Sequence, residues 1–214
     1  LENCLVSNSI CTPSRATILT GQYSHVNGVK TLGGDLLPHQ NHIARVLGAA
    51  GYQTSIIGKW HLHKEPAGFD YYCVLPGQGR YFDPILKSKE NWEDNMKGGV
   101  PYEGFSTDVI TDMTIDWIEQ RDKEKPFLAF CHFKATHEPW NYPERFSHLY
   151  RDVEIPVPAS FDDQGPDETG RTFVGQSIDN LTKRYLYATE NPEKRFDYLN
   201  YPELPFEVDG LSYE

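Results

Sequence analysis

The feature that most constrains the fold is a helix followed by a strand, a unit that occurs twice along the chain. Apolar spacing predicts a helix over residues 39–50 and a short strand over residues 52–57. The same pattern predicts a helix over residues 106–121 and a strand over residues 127–133. Helix and strand in alternation are typical of an α/β protein whose mostly parallel sheet is flanked by helices.

Three further local patterns complete this prediction. Pro13 and Gly21 bracket a short helix over residues 13–20, because proline suits the first turn and glycine the position after the last. The strand at 127–133 is almost entirely apolar, so we expect both of its faces to be buried. Residues 58–104 are rich in Gly, Pro and aromatic residues and predict a long ordered loop with a small hairpin.

Length and charge bound the domain organisation. The 214 residues carry a net charge of −11, which argues against nucleic acid and anionic membranes as partners. No apolar run approaches the roughly 18 residues that a membrane span needs. We predict that residues 1–150 belong to one catalytic α/β domain and that the more acidic residues 151–214 continue it. We also expect the chain to be part of a longer protein.

Polar residues gather where ligands bind in parallel α/β sheets, beyond the carboxyl ends of the strands. Lys59 and His61 follow the first predicted strand, and Lys134 and His137 follow the last. Cys11 immediately precedes the first predicted helix, whose N-terminal N–H groups favour an anion. We therefore expect these three segments to converge on one edge of the sheet.

The residue types in these segments suit an oxyanion. Arg15 offers a fixed fork of donors, Lys59 a point charge, and His61 and His137 groups that can move protons. Phosphate and sulfate both fit such a pocket. The remaining histidines are interpreted as solvated or hydrogen-bonded core residues: His25, His39, His42, His63, His132 and His148.

Three motifs resemble those of type I sulfatases. SICTPSRATILTG at residues 9–21 is similar to the family signature, in which the Cys is oxidised to formylglycine. GYQTSIIGKWH at residues 51–61 resembles a second family motif, and ATHEPW at residues 135–140 resembles the usual Ala-Pro-His-x-Pro-Trp, with Thr136 in place of Pro. The resemblance implies an alkaline-phosphatase-like fold and a sulfuric ester hydrolase that acts on a sulfated small molecule or glycan.

The resemblance also implies a role for each site residue. Cys11, as hydrated formylglycine, would supply the nucleophile, and Arg15 would hold it. Lys59 would bind sulfate oxygens, and His61 would take the proton from the second hydroxyl as sulfate leaves. His137 would bind sulfate and protonate the leaving alcohol.

Cofactors and partners follow from the same resemblance. The family binds a divalent cation, usually Ca²⁺, to which Cys11 contributes as formylglycine. Because its carboxylate ligands are expected outside these 214 residues, we expect the chain alone to be inactive. A formylglycine-generating enzyme is the implied partner. The family is commonly periplasmic, secreted or lysosomal.

Two alternatives stay open at this point. A phosphoester or phosphonate monoester hydrolase of the same fold would use the same pocket. A non-catalytic fragment that binds sulfated glycans would leave Cys11 as a thiol.

Overall fold

A computed structural model of the protein describes residues 4–93, 97–137 and 140–157. The chain divides into two compact units, Leu1–Asn141 and Tyr142–Glu214. The described part of the second unit contains a short 3-10 helix, Glu144–Phe146. Most of the predicted acidic segment 151–214 lies outside the described residues, and its assignment to the same domain stays a prediction.

The first unit contains four helices and five strands in the residues that are described. The helices are α1 (Cys11–Thr20), α2 (Ser24–Asn27), α3 (Ile43–Ala49) and α4 (Ser106–Gln120). The strands are β1 (Gln53–Lys59), β2 (Tyr71–Leu75), β3 (Ile85–Ser88), β4 (Val100–Pro101) and β5 (Phe127–His132). Among these helices, none is long and apolar enough to cross a membrane.

The strands form one mixed sheet in the order β4-β3-β2-β1-β5. The central strand β1 pairs in parallel with β2 and with β5, whereas β3 pairs antiparallel with β2 and β4. The predicted α/β sheet is confirmed at its centre. The expectation of a loop over residues 58–104 is wrong for β2, because this strand is held by pairing with a distant strand, which local composition does not show.

Alternate residues of the strands pack on opposite faces of the sheet. Ile56 and Val74 belong to a core cluster with residues of α1 and α3, namely Ala16, Leu19 and Ala44. Ile57 and Leu75 pack on the other face with Ile110 of α4. Helices therefore cover both faces of the sheet, as the fold class requires.

The strand β5 departs from expectation in its burial. In the described sheet it lies at an edge, and its residues are partly exposed rather than buried on both faces. Its apolar sequence predicted the strand correctly, but an apolar run alone cannot tell a central strand from one at an edge.

Element boundaries shift in three places. The first helix begins at Cys11 rather than after it, and it ends at Gly21, which has a φ of 65°. The helix predicted over 39–50 begins only at Ile43, because His42 before it is extended. The strand β1 runs to Lys59, so Gly58 continues it rather than closing it.

Candidate active site

Cys11 lies at the first residue of α1 and lines a cavity of about 370 Å³. Its thiol is free and half-buried. Arg15, Trp60 and His132 line the same cavity, so the start of α1 faces the ends of β1 and β5. A group at residue 11 can therefore meet a small molecule that enters this cavity.

Arg15 lies one helical turn after Cys11, and its guanidinium is anchored to the end of β1. Its Nη1 donates a hydrogen bond of 2.5 Å to the main-chain oxygen of Lys59 and lies 3.1 Å from Nδ1 of His132. Burial lowers the pKa of Arg15, whereas the electrostatic interaction with the neighbouring Cys11 raises it. A partly buried, anchored cation is thus held beside residue 11.

Gly58 allows β1 and β5 to approach closely at the site. Its φ is 99°, and a Cβ built on it would lie 1.9 Å from the main-chain oxygen of His132. Only glycine fits this combination of backbone angle and space. The close approach brings the residues that follow β1 next to His132.

His132 takes part in the site through its ring. Nδ1 of His132 lies 3.1 Å from the donor Nη1 of Arg15 and 3.3 Å from the main-chain oxygen of Lys59, an acceptor, so the ring tautomer decides which of the two contacts is a hydrogen bond. Burial lowers the pKa of His132 to about 4, and the positive charge of Arg15 adds to the effect. We interpreted this residue from sequence as a hydrogen-bonded core imidazole, and the structure adds that it lines the cavity beside Cys11.

Lys59 ends β1 with its ammonium group buried. The residue is 3% exposed, and its Nζ donates a hydrogen bond of 2.7 Å to Oε1 of Gln78. Burial lowers the pKa of Lys59 to about 8, the charge of Arg15 lowers it further, and Cys11 opposes both. At neutral pH the group is mostly a cation in a site that has little water to screen it.

His61 has an unusual backbone conformation for a residue other than glycine, with a φ of 50°. Its main-chain oxygen accepts a hydrogen bond of 3.0 Å from Oγ1 of the buried Thr12 in α1. The pKa of His61 is lowered to about 4. Burial is the largest cause, and positive charge on four neighbours lowers the pKa further: Lys59, Arg15, His63 and His137. The ring is therefore neutral at physiological pH and is able to accept a proton.

His137 follows β5 and is fixed through its main chain. Its N–H donates to the oxygen of Lys134 at 3.0 Å, and its oxygen accepts from the Tyr81 hydroxyl at 2.6 Å. The charge of His137 is one of the smaller causes that lower the pKa of His61. Residues 138–139 of the third motif lie outside the described residues.

Two contributors to the site went unassigned in the sequence. Gln78 accepts hydrogen bonds from both Lys59 and Lys134. Lys134 is 1% exposed, and its Nζ lies 4.8 Å from the centre of the Tyr81 ring. The position of Lys134 just after a strand was a signal for it, whereas Gln78 follows a strand that the sequence pattern did not reveal.

The described residues can be compared with the ligand set that Ca²⁺ needs. Within the ranges 4–93, 97–137 and 140–157, no group of three or more His, Cys, Asp or Glu residues could hold a metal ion. The described residues thus do not supply the oxygen set that a hard cation needs. A contribution of Cys11 to such a site stays a prediction.

The fold and the pocket define an α/β protein with the alkaline-phosphatase-like fold and a cationic site at the carboxyl ends of its parallel strands. Within this class, the chain belongs to the sulfatase family. The family model described as Sulfatase matches residues 1–190.

Relatives and solved structures agree with this assignment. The chain is 42% identical to an N-acetylglucosamine-6-O-sulfatase of Bacteroides thetaiotaomicron over 170 residues, which is 76% of this chain and 28% of the relative. It is 26% identical to the N-acetylglucosamine-6-sulfatase of Capra hircus, over 89% of this chain and 37% of that protein. The chain therefore spans about a third of the length of these relatives.

A solved structure matches with a TM-score of 0.70 and 39% identity, over 76% of this chain and 32% of the other. It is the structure of BT4656 in complex with its substrate, D-glucosamine-2-N,6-O-disulfate.

Proposed function

We propose that the full-length protein is a sulfuric ester hydrolase that removes sulfate from a sulfated glycan, most specifically from a sulfated amino sugar. The carrying observation is that Cys11 and Arg15 of the family signature line one cavity with Arg15 anchored on Lys59. The relatives named for N-acetylglucosamine 6-sulfate, and the matched structure with its disulfated glucosamine, support the amino sugar.

The environment of Cys11 suits its conversion to formylglycine. The side chain is half-buried, lines the cavity and lies near two hydrogen-bonded cations, Arg15 and Lys59. The hydrated aldehyde supplies one hydroxyl to attack sulfur and a second that allows sulfate to be expelled without water attack at sulfur. In the overall reaction a sulfate ester and water give an alcohol and sulfate.

The site residues have separate tasks in this proposal; Cys11 and Arg15 line one cavity, and His61 lines a second cavity that shares Trp60 with the first. Arg15 stabilises negative charge that develops at residue 11, and Lys59 binds the sulfate oxygens. His61 is neutral at physiological pH, so it accepts the proton released when sulfate leaves. His137 protonates the alcohol as it departs. No step is assigned to Ca²⁺, because the described residues lack a ligand set for it.

The test begins with full-length protein expressed with a formylglycine-generating enzyme. We expect a hydrazide probe to label the peptide that contains Cys11 and mass spectrometry to find an aldehyde there. Cys131 also lines the cavity, so Cys131→Ala is the matched control, which keeps the label that Cys11→Ala abolishes. An unlabelled wild type, beside a labelled reference sulfatase from the same cells, would exclude the formylglycine route.

Activity separates the remaining alternatives. We expect faster turnover of 4-nitrophenyl sulfate than of 4-nitrophenyl phosphate, and release of sulfate from N-acetylglucosamine 6-sulfate. Preference for phosphate would favour the phosphoester hydrolase, and binding without turnover would favour the glycan-binding alternative. The compartment, whether periplasmic, secreted or lysosomal, stays a prediction from the family resemblance.

A further inference from the structure

The loop that follows β2 makes a tight turn toward the site. The N–H of Gly79 donates a hydrogen bond of 3.0 Å to the oxygen of Pro76, and Gly77 and Gly79 have φ values of 54° and 68°. A Cβ on Gly79 would lie 2.7 Å from Cδ1 of Leu75. The turn therefore depends on glycine and holds Gln78 over the ends of the strands.

Gln78 binds two buried lysines through two different oxygens. Its side-chain Oε1 accepts from Nζ of Lys59 at 2.7 Å, and its main-chain oxygen accepts from Nζ of Lys134 at 3.3 Å. These lysines are 3% and 1% exposed; Lys59 ends β1, and Lys134 lies two residues after the adjacent strand β5. One residue thus accepts hydrogen bonds from two buried cations and limits the rotamers that the Lys59 side chain can adopt.

The acceptor for Lys59 is an uncharged amide. Among the described residues, no carboxylate lies within ion-pair distance of Lys59. A carboxylate at position 78 could hold the ammonium group equally well, but it would cancel the positive charge that attracts an anion. An amide oxygen fixes the direction of Nζ and leaves that charge for a ligand.

We infer that Gln78 is a positioning residue that fixes Lys59 for the sulfate group while preserving its charge. The inference rests on the proposed function, in which Lys59 binds sulfate oxygens. Gln78 acts through Lys59 and is not itself assigned a contact with substrate.

Three variants of the full-length, modified protein test this role. Gln78→Met keeps the size of the side chain and removes the acceptor. Gln78→Glu keeps an acceptor and adds a negative charge. Gln40→Met is the control, because the Gln40 side chain also makes hydrogen bonds: it accepts at 2.7 Å from the N–H of Leu37 and donates at 2.9 Å to the oxygen of Asn27.

The readouts are kcat and KM for 4-nitrophenyl sulfate, the affinity for inorganic sulfate by calorimetry, and the unfolding temperature. We expect Gln78→Met to lower kcat/KM about 10-fold to 100-fold. Gln78→Glu should weaken inorganic sulfate binding at least about 10-fold more than Gln78→Met does, because it pairs with Lys59. Gln40→Met should stay within about twofold in both kinetics and binding while losing a similar amount of stability.

Normal kinetics in Gln78→Met, or wild-type sulfate affinity in Gln78→Glu, would overturn the inference. If Gln78→Met fails to fold, the comparison of Gln78→Glu with wild type decides, since that variant keeps the hydrogen bond. A wild type that carries formylglycine but does not turn over any sulfate ester would refute the proposed function instead. Sulfate affinity would still decide the role of Gln78 in that case.

Discussion

Substitution of Gly58 by alanine should lower the free energy of unfolding more than the same substitution at Gly21 or Gly48. Two effects add at this position. A φ of 99° is unfavourable for a residue with a Cβ, by about 1–2 kcal/mol. The new methyl group would also have to move from 1.9 Å to beyond 3.0 Å from the main-chain oxygen of His132, which forces β1 and β5 apart.

The expected loss follows from these two effects. Forced separation of packed backbone costs about 1–3 kcal/mol, so the total for Gly58→Ala is about 2–5 kcal/mol. That is a large part of the roughly 5–15 kcal/mol by which a typical domain is stable. Because Lys59 and His132 flank the contact, kcat/KM should fall as well.

Two other glycines separate the two effects. Gly21 has a φ of 65° and open space around its Cβ position, so Gly21→Ala should cost only about 1–2 kcal/mol. Gly48 lies within α3 with nothing within 4 Å, so Gly48→Ala should stabilise by about 0.5–1 kcal/mol. Urea unfolding of the full-length variants, followed by tryptophan fluorescence, measures all three. If Gly58→Ala costs no more than Gly21→Ala, the close approach of the two strands is wrong.

Further outcomes concern charge at the site. In wild type, kcat/KM should fall above about pH 8 as Lys59 loses its proton, and Lys59→Arg should move that fall to higher pH; a pH–rate profile checks this. His61 and His132 have pKa values of about 4 when folded against about 6.5 unfolded, so the unfolded state binds more protons between these values. Stability should therefore fall as the pH drops from about 6.5 to 4, and melting curves of His61→Gln should show a shallower fall. Arg15→Met should remove measurable sulfatase turnover and lower the unfolding temperature. Arg15→Lys should unfold at a higher temperature than Arg15→Met but should not regain turnover.

Much of the fold could be predicted because its evidence is local. The apolar spacing of α4 and the glycine after α1 gave nearly correct helices, and the apolar run of β5 gave its strand. The strand β2 could not be found in this way. It has five residues, follows a segment rich in Gly and Pro, and owes its structure to pairing with β1.

The site residues also divide into those with local evidence in the sequence and those that depend on contacts between distant residues. Cys11, Arg15, Lys59 and His61 could be named as candidates because they lie in continuous motifs at the ends of elements, and their roles stay predictions. Gln78 could not, since its importance depends on the distance of 2.7 Å to Lys59, from which it is separated by 19 positions in sequence. The part played by His132 likewise required the closeness of β1 and β5 that Gly58 permits.

The anchor of Arg15 on position 59 has a consequence for engineering. The guanidinium bonds the main-chain oxygen of residue 59, an atom that every amino acid possesses, and not the side chain. A library of substitutions at position 59 can therefore vary the charge and length of the side chain that meets an anion, while Arg15 keeps its hydrogen bond to the main chain. At position 59, ligand preference can therefore be changed without removing the main-chain acceptor that holds Arg15 beside Cys11.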